Sequence, residues 1–301
     1  MLSSLRNLEM TILGLGFLGL AWSKSRLNGY ATPNTVAKAD EEGKIAYLLD
    51  IFASLRRFLP PQFDLSGRDV LELSPGSSRG NGVLFLALGA RSYHAIDVFD
   101  LAGEEKPAFH GRLLDRFPEG RKADRERARA IVRTAGAREF GYAVGRDFDI
   151  RRLAGQRSFD LIVSCAAFEH YDDPAQAIAS LTQVARPGCV SVHIIDLQTH
   201  SRWIREHDPN NIYRYPERLY RLFRFPGQPN RRRSADYVGS FAAQGWSDVR
   251  FVPSRTIDPA LREASLRGLA APFAGRDDMS ILDGALTARY PGPGGDWGQA
   301  S

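Results

Sequence analysis

Val70-Leu-Glu-Leu-Ser-Pro-Gly-Ser-Ser-Arg-Gly-Asn-Gly82 runs on through Leu84-Phe-Leu-Ala-Leu-Gly-Ala90 to Tyr93-His-Ala-Ile-Asp-Val-Phe-Asp100. Val70, Leu71 and Leu73 make a short, nearly unbroken apolar run, as expected of a strand covered on both faces of a parallel sheet. Pro75 and Gly76 stop it. Gly76 has no side chain, so a ligand can approach its backbone, and Ser77 or Ser78 is placed to cap the helix that follows. Asp97 closes the next apolar strand, where a carboxylate can accept hydrogen bonds from both hydroxyls of a ribose. Strand, glycine turn, helix and acid-tipped strand form the front half of a nucleotide-cofactor site.

A second buried strand and its exit loop are written in Ser158-Phe-Asp-Leu-Ile-Val-Ser-Cys-Ala-Ala-Phe-Glu-His-Tyr-Asp-Asp-Pro174, and Ala185-Arg-Pro-Gly188 turns into another strand over 190–195. Over 69–196, in this order, the segments resemble motif I, the fourth strand and the fifth strand of class I S-adenosylmethionine-dependent methyltransferases. Glu72, Ser74, Gly76 and Asp97 fall on the family's positions. The family's glycines two residues either side of Gly76 are here Ser74 and Ser78, small enough to leave the loop open. A nicotinamide-binding domain would share the glycine loop but is not expected to repeat the Phe-Asp-Leu-Ile-Val-Ser run with Glu-His after it. The residues alone support a doubly wound α/β domain. The resemblance implies more: an α/β, doubly wound, seven-stranded and mostly parallel sheet with its last strand antiparallel, N-terminal helices and an inserted lid. It also implies S-adenosylmethionine as cofactor, held by Glu72, Ser74, Pro75, Gly76, Ser77, Asp97, Val98, Asp147, Phe148, Ser164 and Cys165.

Outside these motifs the chain divides into an N-terminal helical extension over 1–66, a catalytic domain over 67–290 with a lid insertion at 199–233, and a glycine-proline tail at 291–301 expected to be mobile. Residues 11–22 are uncharged, too short to cross a bilayer of about 30 Å, and broken by glycines. They read as a helix packed on the body or against a second copy, or as an interfacial helix touching a membrane through 8–22. Ile45, Leu48, Leu49, Phe52, Leu55 and Leu59 recur at helical spacing, ended by Pro60-Pro61. Helices are expected over 123–134, 174–184 and 234–244, the last capped by Ser234, with strands near 140–144, 249–252 and 281–288. The lid interleaves Trp203, Tyr213, Tyr215, Tyr220, Phe223 and Phe225 with arginines, a composition expected to give a small packed cover with solvated cations. Net charge is +5, which fits an anionic partner without choosing one. Cys165 and Cys189 read as buried thiols in a reducing cytoplasm.

The crevice at the carboxyl ends of the strands gathers the candidate chemistry. Asp147, or Asp149 two residues on, matches the acid that the family places beside the adenine. His170 and His200 follow the fourth and fifth strands, where an imidazole suits a proton acceptor for a hydroxyl. His200 is taken as the base with Asp196 as its orienting partner, and His170 as the second candidate. No metal site is expected: His193 and Asp196 would point to opposite faces of their strand and not converge with His200. The expected acceptor is a small molecule, most directly a hydroxyl of a sugar or secondary metabolite. Ser164-Cys-Ala-Ala-Phe168 lacks the Asn/Asp-Pro-Pro-aromatic signature for a flipped base, which argues against methylation of an adenine or cytosine amino group but not against ribose or other carbon and oxygen targets. A nucleic-acid partner is not the expected one. The alternatives are an RNA methyltransferase binding through its arginine-aromatic lid, and a repurposed cofactor binder, cyclase or non-catalytic.

Overall fold

The computed structural model describes residues 2–28 and 40–292, so the part of the expected tail beyond 292 lies outside the described residues. Two helices come first, α1 (Leu2–Asn28) and α2 (Glu41–Arg57). They are followed by β1 (Asp69–Leu73), α3 (Gly80–Ala87), β2 (Ser92–Asp97), α4 (Pro107–Arg116), α5 (Lys122–Arg133), β3 (Phe140–Val144), α6 (Ile150–Ala154), β4 (Phe159–Cys165), α7 (Pro174–Leu181) and β5 (Ala185–Asp196). After β5 come α8 (Arg202–His207), α9 (Glu217–Leu222), α10 (Ser234–Ala243), β6 (Ser247–Thr256), α11 (Pro259–Leu266) and β7 (Ile281–Arg289). The strands form one seven-stranded sheet in the order β3-β2-β1-β4-β5-β7-β6. Neighbours from β3 to β5 pair parallel, and β7 inserts antiparallel between β5 and β6. This is the sheet that the sequence implies.

Strand side chains alternate between the two faces, and each face has its own core. Val70, Tyr93, Ala95, Leu161 and Val163 pack with α2, α3, α4 and α5, whereas Leu71, Leu73, Ile96 and Ile162 pack with α6, α7 and α10. Burial on both faces is why β1 and β4 read as continuous apolar runs. Gly82 sets how closely α3 lies on the sheet, because a Cβ there would overlap the Tyr93 ring.

A third cluster lies beyond the sheet. Ile212, Tyr213, Tyr215 and Tyr220 of the lid pack with Phe273 and Met279 of the β6–β7 connection and with Leu15 and Leu18 of α1. The cover therefore has three parts, not the single insertion at 199–233. Arg218, Arg221 and Arg224 are exposed, as expected of solvated cations, but Arg214, Arg231 and Arg233 are buried. Arg233 donates to the carbonyls of Leu197 (2.9 Å), Asp278 (2.6 Å) and Ile281 (2.5 Å) and to the Tyr213 hydroxyl (3.1 Å), joining the exit of β5 to the entry of β7. Arg214 pairs with buried Asp208 at 2.5 Å. A guanidinium can be buried here because its fork finds several acceptors at once. Ser234 is the first residue of α10 rather than its cap; the Asp236 carboxylate accepts from Arg233 N (2.8 Å) and that of Asp278 from Ala235 N (3.1 Å). Despite its glycines, 11–22 lies inside the single helix α1, seated on the lid. Packing overrides the weak propensity.

Gly82→Ala is expected to lower the unfolding free energy by about 1–3 kcal/mol through overpacking against Tyr93. Gly239→Ala on α10, where an added methyl meets nothing within 4 Å, is expected to raise it by up to about 1 kcal/mol. Urea denaturation compares the two, and equal shifts would contradict the packing described.

Candidate active site

Ser74 leaves β1 with φ +51° and Gly76 follows with φ +67°. Both lie in the left-handed region that glycine enters freely and other residues enter at a cost of about 1–2 kcal/mol. The family's preference for glycine at position 74 thus has a backbone cause, and Ser74 is accommodated with its hydroxyl 3.5 Å from the Tyr171 hydroxyl. At 78, serine has a bonding role. Its Oγ donates to Glu105 (2.5 Å) and accepts from Gly80 N (3.1 Å), so Ser78, not Ser77, supports the start of α3.

Asp97 is buried at the end of β2. Its carboxylate accepts from the backbone N–H of Val98 (2.6 Å), Phe99 (3.4 Å) and Gly76 (3.3 Å), which binds the acid to the glycine loop. Burial pushes its pKa up to about 6, against the pull of those bonds. Glu72 occupies a different environment from the one expected of a ligand contact. It lies in the core, accepting from Asn81 Nδ2 (2.8 Å) and the Tyr93 hydroxyl (2.5 Å), and burial raises it to about 7. It braces the loop from below. Glu105 braces it from the side: besides Ser78 it accepts from Arg79 N (2.9 Å), meets His110 Nε2 at 2.8 Å and pairs with Lys44 at 3.2 Å. Burial alone would raise Glu105, yet the bonds from His110, Ser78 and Arg79 hold it below the ordinary value.

Asp149 is committed to capping α6, accepting from Arg152 N at 3.0 Å, which leaves Asp147 as the more available acid of the two. Asp147 is exposed and paired with Arg152 at 2.6 Å. Phe148, with φ +46°, sets its ring 5.0 Å from that of Tyr171. Ser164 donates to or accepts from His193 Nδ1 (2.8 Å), and His193 Nε2 meets Ser191 Oγ (2.6 Å), so this fully buried imidazole, lowered to about 3 by burial, belongs to the core. Cys165 opens onto a cleft of about 370 Å³ between α2 and the ends of β4 and β5, lined also by Tyr47, Asp50, Ser54, Asp196 and Ser254. Burial raises the thiol to about 12, keeping it protonated. Another cleft, of about 400 Å³ around Arg68, Arg91 and Arg186, lies at the opposite end of the strands.

The two candidate bases are neighbours. The His170 and His200 rings meet edge to face at 4.8 Å between centroids. His170 Nδ1 lies 2.6 Å from the Gly227 carbonyl and His200 Nδ1 3.1 Å from the Gln198 carbonyl. Each Nδ1 therefore carries the proton and donates it, leaving Nε2 as a bare acceptor. Burial lowers both imidazoles, His170 to about 4. Asp196 is not the orienting partner expected for His200. One of its oxygens accepts from Gln198 N (3.0 Å) and Nε2 (3.1 Å), and the other pairs with Arg205 (2.8 Å). The carbonyl of Gln198 orients His200 instead.

Glu169 completes the cluster and was not among the sequence candidates. It is buried; Oε1 accepts from Asp196 N at 3.3 Å, and Oε2 has no partner. Burial and the nearby Asp196 raise it to about 8, so at neutral pH it is a carboxylic acid. One donor atom from each of Glu169, His170 and His200 falls within 4.8 Å of the others, a spacing that also admits a metal ion. The lid fixes this loop directly: Asn230 N donates to the Glu169 carbonyl (2.8 Å), and Asn230 Nδ2 to the carbonyls of Phe168 (2.7 Å) and Tyr171 (3.0 Å).

The family model described as a methyltransferase domain matches residues 118–192. No curated protein gives a significant sequence match. Among solved structures, the chain is similar to the CurJ carbon methyltransferase, with 13% identity, 96% of this chain and 68% of that one covered and a TM-score of 0.46. An S-adenosylmethionine-dependent methyltransferase from Mesorhizobium loti is 16% identical over 83% of this chain and 99% of its own, with a TM-score of 0.44. Phosphoethanolamine N-methyltransferase 2 of Haemonchus contortus, in complex with S-adenosyl-L-methionine, is 12% identical over 87% and 60%, with a TM-score of 0.47.

A carboxyl whose folded pKa is raised binds more protons in the folded state, so its ionisation removes stability as pH rises. For Glu169 the window runs from about 4.5, its ordinary value, to about 8. Glu169→Gln is therefore expected to flatten the fall in melting temperature between those limits relative to the wild type. Parallel falls in both proteins would contradict the unpaired acid.

Proposed function

We propose that this chain is a class I S-adenosylmethionine-dependent methyltransferase, a reading supported by the match of residues 118–192 to the methyltransferase domain model and by the sheet order, and that it methylates a hydroxyl of a sugar or similar polyhydroxylated metabolite. The observation that carries the acceptor is the pair of imidazoles, His170 and His200, each with Nδ1 held by a backbone carbonyl. They lie on the loops leaving β4 and β5, strands whose Cys165 and Asp196 line a cleft with Tyr47, Asp50, Ser54, Ile51 and Phe58. Carboxylates and hydroxyls suit the many donors of a polyol.

The loop fits the cofactor: left-handed Ser74 and Gly76 open the backbone beside an acid that three N–H groups hold at the end of β2. Asp97 would hold the ribose hydroxyls, Asp147 and Phe148 the adenine side, and Ser74 to Ser77 with Cys165 the remainder, while Ser164, buried against His193, supports the end of β4. When bound, S-adenosylmethionine supplies a sulfonium methyl whose displacement leaves a neutral thioether, so alignment and exclusion of water do most of the catalytic work. His200 Nε2 takes the hydroxyl proton as the acceptor oxygen bonds to the methyl carbon, and the Gln198 carbonyl steadies the imidazolium through Nδ1–H. His170 lies against it, oriented by Gly227. Protonated Cys165 is no nucleophile, so transfer is direct.

Arg214, Arg231 and Arg233 are turned into the cover and Arg205 and Arg224 pair with Asp196 and Asp172, whereas Arg202, Arg218, Arg221 and Arg232 stay exposed. RNA binding through those exposed cations is the competing reading, and the acceptor decides between the two. The free thiols Cys165 and Cys189 support a reducing cytoplasm.

The purified protein, S-adenosylmethionine and a panel of glycosides and hydroxylated metabolites are expected to yield S-adenosylhomocysteine and a singly methylated product by mass spectrometry, unaffected by chelators. His200→Gln is expected to lower kcat about 10²–10⁴-fold with cofactor affinity retained. Because His200 lies below its ordinary 6.5, wild-type turnover is expected to stay level above that pH and fall only below it. Methylation of RNA or amines alone would overturn the hydroxyl reading, and loss of activity to chelators would move Glu169, His170 and His200 to metal ligation.

A further inference from the structure

Most exposed large apolar residues of the described chain lie on one helix. Leu5, Leu8, Ile12, Leu13, Phe17 and Leu20 of α1 are exposed, Leu5, Leu8, Ile12 and Leu20 by 58–65%. They fall within one arc of the helix, and Glu9 is the single charged residue among the exposed positions from 5 to 20. This stripe is no consequence of a loosely held segment. The opposite side is seated on the cover: Met10 is buried, a Cβ on Gly14 would overlap Asn211 and Tyr215, and Leu15 and Leu18 join the third core cluster. An amphipathic surface helix normally turns polar residues outward. This helix is apolar on both sides, so its outer face lacks a partner.

The neighbouring surface continues the pattern. Trp203, 44% exposed, stacks on Phe17 at 6.1 Å. Leu222, 70% exposed, adjoins Phe223, whose ring meets Trp22 edge-on at 6.4 Å. Cations border the patch: Lys24 and Arg26 are exposed on the last turns of α1, with the Arg26 guanidinium 5.3 Å from the Trp22 ring centre, and exposed Arg202 precedes Trp203.

We propose that the outer face of α1, with Trp203 and Leu222, docks the protein on an anionic lipid bilayer. Leucines and an exposed indole suit the boundary between headgroups and acyl chains, and the bordering cations reach phosphates. A second copy of this chain would bring the same cations against one another, whereas an anionic surface supplies the missing opposite charge. No helix among the described residues is long and apolar enough to cross a membrane, and α1 lies along the body by its inner face. The docking is independent of which acceptor is methylated.

Co-sedimentation of the full chain with phosphatidylcholine vesicles, with or without phosphatidylglycerol, tests this. The wild type is expected to pellet with the anionic vesicles and to be released as salt rises. Replacing Leu8, Ile12 and Leu20 together by serine is expected to lower the partition coefficient about tenfold or more. Circular dichroism and cofactor affinity should stay unchanged. Lys24→Gln with Arg26→Gln should remove mainly the salt-sensitive part. Wild-type protein left in the supernatant with both vesicle types, or pelleting of the serine variant equal to wild type, would overturn the proposal. So would light scattering that shows a wild-type dimer, a monomeric serine variant and no vesicle binding, which would assign the face to a second copy.

Discussion

The strand order reverses between β1 and β4, and the arrangement of the site follows from that reversal. From β1 the chain builds outward through β2 to β3, and from β4 outward in the other direction to β5. Segments leaving β1 and β4 diverge above the sheet, and a crevice is left that no crossover helix fills. The glycine loop, Asp97 and the loop bearing Cys165, Glu169 and His170 all border that opening. The cover then rests on the far side of the crevice, joined to the sheet by Arg233 and to the loop bearing Glu169 and His170 by Asn230. Because the cover includes α1 and the β6–β7 connection, residues far apart in sequence hold one loop in place.

Desolvation sets the direction of the protonation equilibria around this crevice. Glu72, Asp97 and Glu169 all lie above their ordinary pKa values because they are buried, and half-buried His170 and more exposed His200 lie below theirs through partial desolvation. The two effects run in opposite directions for acids and bases, yet both favour neutral groups. A site of this kind would suit the proposed displacement of a sulfonium methyl by a hydroxyl. It offers a proton acceptor in the imidazole pair, and Glu169 can donate where an ionised carboxylate could only accept.

Much of this was legible in the sequence because β1 and β4 are buried on both faces and therefore appear as runs such as Leu161-Ile-Val163, and because Asp97 sits at the end of its strand. The strand number and antiparallel β7 came through the resemblance rather than through periodicity. The partner of His200 was misread, since Asp196 four residues earlier is drawn away by Arg205 and Gln198, a competition that spacing does not reveal. Glu105 was missed for a similar reason: it stands in a charged connection and acquires its role only when α4 brings it to Ser78, 27 residues away. Glu169 was visible beside His170, but its importance depends on burial without a partner for Oε2. The arginines of the lid look solvated in composition, and only the fold shows Arg214, Arg231 and Arg233 turned inward onto carbonyls and carboxylates.

Calorimetric titration of the wild type and of Asp97→Ala with S-adenosylmethionine tests the central claim most directly, since the loop, the acid and the crevice are all read as one cofactor site. The account predicts micromolar binding by the wild type and an affinity about tenfold to a hundredfold weaker in the variant, from the loss of charge-assisted hydrogen bonds. No binding by the folded wild type, or equal binding by both proteins, would contradict it.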